Sequence, residues 1–193
     1  MVEDIRAFKE AGGVRGFVVG TLTKDGRVDI ESMKILVDEI LPLEVCFHRA
    51  FDMTQDPIEA MADITNIGGI SRILTSGQRR SAPQGLAIIK KLLEERNMLV
   101  GDMWGLTIMP GSGINGQTLP PLLEALLPVG LREIHLSGGK WVIDDIAFKR
   151  DDMGMGIDRD TEWGVWRTQE EQVRQVRELC DSLWAKYVAT VAK

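Results

Sequence analysis

A parallel α/β fold is what this sequence predicts: an opening helix followed by five strand–helix units. Three observations predict it. Short apolar runs rich in β-branched residues recur at residues 14–20, 43–49, 71–77, 105–110 and 131–137. A single amphipathic stretch separates each run from the next, and neighbouring parallel strands need such a long crossover. The composition is that of a globular protein, 44% hydrophobic and 27% charged over 193 residues.

The elements follow in order. Residues 2–10 read as a helix that stops at Gly12-Gly13. Residues 31–41 carry Met33, Leu36, Val37 and Ile40 at the spacing of one helix face. Residues 57–67 open after Asp56, an N-cap, with Pro57 at the first helical position. Helical patterns at 83–96 and 117–127 follow, and 168–191 is the longest. Residues 138–167 form the one irregular stretch, with three of the five tryptophans. It is expected to be a long loop serving as a lid, a functional loop or a partner contact. Nothing resembles a linker, so residues 1–193 read as one domain.

Charge and cysteine usage narrow the function. The net charge is -6 with no basic block, which argues against nucleic acid and against an anionic membrane. No apolar run approaches the roughly 18 residues of a membrane span, and the start has the features of no signal peptide. The two cysteines, Cys46 and Cys180, lie far apart without metal-type spacing. A reducing, cytoplasmic setting with free thiols is expected.

Parallel α/β folds bind ligands at the carboxyl ends of their strands. The second strand ends in the densest cluster, Phe47-His48-Arg49-Ala50-Phe51-Asp52, and the third in Thr75-Ser76-Gly77. Both histidines, His48 and His135, fall at strand ends. His48 can act as an acid or base near neutrality, Arg49 can grip a carboxylate or phosphate, and Asp52 can orient either. The competing reading is a buried Arg49–Asp52 ion pair tying strand to loop, with His48 satisfied by backbone. Gly111-Ser112-Gly113 and Ser137-Gly138-Gly139 close the last two strands; they would bring backbone N–H groups to an oxyanion, or simply turn tightly. Cys46 precedes His48 by two and shares its face, so the pair could hold Cu(I) or supply a nucleophile; otherwise Cys46 is core packing. Met153 and Met155 offer thioethers or loop anchors, and Cys180 reads as core.

These motifs carry a resemblance. Cys46-Phe-His-Arg-Ala-Phe-Asp-Met53 resembles the signature strand of the CutC copper homeostasis protein family. In order with it stand Gly16-Phe-Val-Val-Gly-Thr-Leu-Thr-Lys-Asp-Gly-Arg-Val-Asp29, Arg72-Ile-Leu-Thr-Ser-Gly77, Ile108-Met-Pro-Gly-Ser-Gly113 and Glu133-Ile-His135, which are similar to further segments of that family up to about residue 155. The resemblance implies a TIM barrel, here incomplete at about five of eight βα units, and a cytosolic role in copper handling with copper as ligand. It marks His48, Arg49, Asp52, Thr75, Ser76, Gly111, Gly113 and His135 as family-typical. Cys46 stands where the family has Thr, and Ser112 differs mildly. The family's first three strands, with the cysteines proposed to bind Cu(I), have no counterpart here.

Three readings stand at this point. One is a CutC-type copper homeostasis protein. Another is a barrel enzyme on a small phosphorylated or anionic substrate, with Arg49 holding the anion and His48 as general acid or base. The last is a non-catalytic assembly protein, a homo-oligomer for instance, in which the tryptophan-rich stretch packs on a partner. A chain short of the roughly 250 residues of a closed barrel is expected to be a fragment or to be completed by a partner, and weakly stable alone.

Overall fold

The computed structural model describes residues 1–100, 105–143, 145–150, 153 and 162–191. Its centre is a parallel sheet in the order β1 (Gly16–Val19), β2 (Glu44–Phe47), β3 (Arg72–Thr75) and β4 (Thr107–Pro110). Helix α1 (Val2–Ala11) precedes β1, and α2 (Ile30–Ile40), α3 (Pro57–Ile67), α4 (Leu86–Val100) and α5 (Leu119–Leu126) each follow one strand. The fold is α/β, of the incomplete (β/α) barrel type that the sequence predicts. No helix among the described residues is long and apolar enough to cross a membrane.

Local chemistry sets the helix starts. Asp29 caps α2 by accepting from Ser32 N at 3.1 Å, and Asp56 caps α3 by accepting from Ile58 N at 2.7 Å and Glu59 N at 3.0 Å. Pro57 sits at the start of α3, where its missing N–H is no loss.

The two-residue period of the strands sorts the sheet into two faces. Phe47, Ile73 and Ile108 lie in register and are wholly buried. With Met33, Ile40, Met61, Ile64, Ile89 and Leu92 they make the core, each such side chain contributing about 1.5–3 kcal/mol. The other face carries Cys46, Arg72 and Thr107 in register and is open enough that Val18 is 62% exposed.

The chain divides into two compact units, Met1–Leu136 and Ser137–Lys193. In the first, the fifth strand expected at residues 131–137 is reduced to one parallel bridge, Gly111 with His135. Pro110 explains this: its carbonyl accepts from His135 N at 2.8 Å, but proline has no N–H to extend a ladder on that side. Leu131 is buried and holds the segment instead.

In the second unit, the stretch expected as one loop contains an antiparallel hairpin, β5 (Gly139–Ile143) with β6 (Gly164–Thr168). Trp141 and Trp166 face each other across it, 5.5 Å between ring centroids, edge to face. Gly139 allows this, because a Cβ there would strike the Trp166 indole. Helix α6 (Glu170–Val191) follows.

Candidate functional site

The β2 and β3 strands end side by side, and Asp52 ties the two loops that leave them. After β2 the chain enters a 3₁₀ turn, Arg49–Met53, which swings Asp52 back toward β3. Its carboxylate is 6% exposed. Oδ1 accepts from Thr75 Oγ1 at 2.5 Å, Ser76 N at 3.0 Å and Gln78 N at 3.1 Å. Oδ2 accepts from Arg49 Nε at 2.8 Å, and lies 3.0 Å from Ser76 N and 2.9 Å from Ser76 Oγ. Burial pushes the carboxyl up, but the donors from Thr75, Arg49, Ser76 and Gln78 outweigh it and hold the pKa below the ordinary value. Asp52 is thus a fixed anion whose lone pairs face protein donors. Its chemistry is positioning.

What it positions is Arg49. The guanidinium is anchored at Nε by Asp52 and at Nη2 by Ser76 Oγ, 2.6 Å away, and the side chain is 43% exposed. Nη1 makes no hydrogen bond among the described residues, leaving one charged edge of a preoriented fork. Ser76 Oγ also lies 2.5 Å from Arg79 O, so Arg49, Asp52, Ser76 and the 79–80 segment form one network. Both readings of Arg49 and Asp52 meet here: the pair ties strand to loop and still presents a cationic edge.

His48 stands beside this network without touching Asp52. Its Nδ1 accepts from Ala50 N at 3.2 Å, so the neutral ring carries its proton on Nε2. The imidazole rests on Gly20 at the end of β1, where a Cβ would come within 2.6 Å of Nδ1. Next to Gly20, the buried Thr21 Oγ1 has no hydrogen-bond partner among the described residues.

The remaining expected residues of the first unit are distributed along the same strand ends. Thr75 and Ser76 are wholly buried within the Asp52 clip, and Thr75 Oγ1 also accepts from Gly77 N at 2.9 Å. Gly111 lies against Leu74 and His135: a Cβ there would come within 2.7 Å of Leu74 Cδ1 and 3.5 Å of the His135 ring. Gly113 has a positive φ of 71° and packs on Ser81. Ser112, itself at φ 75°, donates through Oγ to Arg80 O at 3.0 Å. His135 is exposed. Ser137 opens the second unit, where its carbonyl accepts from Thr168 Oγ1 at 3.1 Å.

Cys46 is buried on the open face, its thiol 3.6 Å from Phe47 O, and burial pushes its pKa up despite nearby Arg72. A protonated thiol is a poor ligand and nucleophile. Among the described residues no three His, Cys, Asp or Glu side chains converge as a metal site. Met153 is half exposed, and Met155 lies outside the described residues. The described groups therefore do not fit a resident copper ion.

Two contributors escaped the sequence reading. Gln78, at φ 54°, supplies a backbone N–H to Asp52 and a side-chain bond to Thr54 O at 2.6 Å. Arg72 binds Glu133 through Nε at 2.7 Å and Nη2 at 3.2 Å, and thereby holds the segment that carries His135.

The CutC family model matches residues 1–140. A Klebsiella pneumoniae (strain 342) protein named family protein CutC is 38% identical over 162 residues, 84% of this chain and 60% of that protein. One of the same name from Salmonella agona (strain SL483) is 36% identical over 178 residues, covering 92% and 66%. The crystal structure of a proposed copper homeostasis protein CutC from Streptococcus agalactiae superposes with a TM-score of 0.59 at 24% identity, over 70% of this chain and 61% of that one. The chain thus spans 60–66% of the length of these curated relatives.

Proposed function

The chain belongs to the CutC family, and from that premise we propose that it acts in copper homeostasis, in the cytoplasm, through the strand-end cluster around Arg49. The observation that carries this is the family match over residues 1–140, which includes every residue of the Asp52 clip. A cytoplasmic location is supported by two free cysteines. Copper enters as cargo of the cellular role, not as an ion bound by the groups described above. The test of the role is genetic. A bacterial strain lacking its own CutC-family gene should regain growth in copper-supplemented medium when this chain is expressed; unchanged copper sensitivity at normal protein level contradicts the role.

A Cu(I) titration against a competing chelator separates cargo from ligand. Wild type and the Cys46→Ser, Met153→Leu double variant should compete equally. Weaker competition by the variant would show that these side chains bind copper after all.

A second reading has its own support: Arg49 holds out an unengaged edge, with Arg79 and Arg80 exposed on the adjoining loop of an acidic chain. That arrangement suits a small phosphorylated or carboxylate ligand. His48, protonated at Nε2 when neutral, would give or take the proton in an enzyme of this kind, with Gly113 and His135 exposed at the same strand ends and Thr75, Ser76 and Gly111 buried behind them. Thermal unfolding with a panel of phosphorylated metabolites tests it. A midpoint rise that Arg49→Ala abolishes is expected, and a rise that Arg49→Ala leaves intact refutes this placement of the anion.

A further inference from the structure

The chain holds three asparagines, Asn66, Asn97 and Asn115, in different surroundings. Asn66 lies inside α3 and Asn97 inside α4, so the backbone N–H that follows each belongs to a helix. Asn97 is also held at its side chain, which donates to Val129 O at 3.0 Å and accepts from Arg96 Nε at 3.2 Å. Asn115 is exposed between β4 and α5 and is followed by Gly116. Its Oδ1 accepts from Gln117 N at 2.9 Å and Thr118 N at 3.1 Å. Its own N donates to Thr118 Oγ1 at 3.0 Å, which closes a reciprocal capping box ahead of α5. Its main-chain carbonyl accepts from Leu119 N at 2.9 Å, and Leu119 is wholly buried. In this run the Gly116 N–H has no acceptor among the described residues, and the Asn115 Nδ2 amide has none either.

We propose that Asn115-Gly116 is a site of covalent modification, by spontaneous deamidation in the folded chain. The Gly116 nitrogen, its proton given up to water, attacks Asn115 Cγ. The N–Cγ bond forms, the Cγ–Nδ2 bond breaks, and ammonia leaves with a proton from water, closing a succinimide ring. Water then opens the ring at one of its carbonyl carbons, so water enters and ammonia departs overall. Opening at Cγ gives aspartate in the original main chain. Opening at the main-chain carbon gives isoaspartate, with the chain rerouted through the former side chain. The attacking nitrogen has no hydrogen bond to break, and glycine has no Cβ to hinder its approach. Negative charge develops on Oδ1, where two backbone N–H groups already point. At Asn66 and Asn97 the corresponding nitrogen is committed to a helix. The structure separates the two products. Aspartate keeps both acceptors and places a negative charge at a helix N-terminus, where it is favourable. Isoaspartate takes the carbonyl that receives Leu119 N out of the main chain, and so loosens the start of α5.

Peptide mapping by mass spectrometry of the purified full chain, after weeks in mildly alkaline buffer, tests this. The mass gain of an amide turned to an acid is expected at Asn115 and not at Asn66 or Asn97, with aspartate and isoaspartate peptides separating on chromatography. Gly116→Ala, at a position whose backbone is not left-handed, should slow the conversion roughly tenfold or more and leave the far-ultraviolet dichroism unchanged. Asn115→Asp, made directly, should unfold at or above the wild-type temperature, and the isoaspartate fraction below it. Asn115 unchanged at the end of the incubation overturns the proposal. So does equal conversion at all three asparagines, or conversion as fast in Gly116→Ala as in wild type.

Discussion

Asp52 shows how a single buried carboxylate sets a site without acting in it. Replacing it by asparagine puts an amide N–H₂ among the donors that now converge on Oδ1 and Oδ2, and leaves Arg49 without its partner. Asp52→Asn should lower stability by about 3 kcal/mol, read from urea midpoints. The pH dependence has a definite sign. The native pKa lies below the ordinary 3.8, so the ionised group adds stability above that value and loses it as pH falls through the native pKa. Wild type should therefore weaken in acid more steeply than Asp52→Asn; parallel curves would contradict the clip. Gly20 makes a second residue-scale claim. Gly20→Ala should displace the His48 ring, seen as a shift of its imidazole cross-peaks, with those of His135 unmoved. At this scale the cluster at 47–52 and 75–76 was legible, because polar residues at the ends of apolar runs stand out in one dimension. Gln78 was not, since its part depends on a left-handed backbone and a contact across two loops. Nor was the division of labour between Arg49 and Asp52, which only distances could decide.

Among the elements, period and punctuation carried the first four strands and all six helices to within a few residues, with Asp56-Pro57 the clearest case. Two elements came out differently. The run at 131–137 has the composition of a strand, yet its neighbour β4 ends in Pro110 and gives it one bridge. Long-range groups hold it instead, Leu131 in the core and Glu133 on Arg72. Arg72→Met should accordingly free this segment. Hydrogen exchange at residues 132–136 should rise while β2 and β3 stay protected, and unchanged protection would show that Arg72 does not hold it. The hairpin of β5 and β6 was missed for the converse reason. Its strands alternate recognisably, Gly-Lys-Trp-Val-Ile and Gly-Val-Trp-Arg-Thr, but no short turn joins them, so neither announces its partner.

At the scale of the molecule, an acidic α/β chain of the CutC family presents a cationic edge at the carboxyl end of its sheet and an alternating row of charges, Arg15, Glu44, Arg72 and Glu133, at the other. Both lie within the part matched by the family model, and the first is organised around one buried anion. The central claim is that the Arg49 network is where the family role is exerted. Copper tolerance of a strain lacking its own CutC-family gene tests this most directly when wild type, Arg49→Ala and Asp56→Ala are compared at equal protein level. Asp56→Ala removes a helix cap worth about 1 kcal/mol whose hydrogen bonds go to Ile58 and Glu59, and so controls for stability. Tolerance restored by wild type and Asp56→Ala but lost with Arg49→Ala is the predicted result. Equal tolerance with Arg49→Ala would contradict the account.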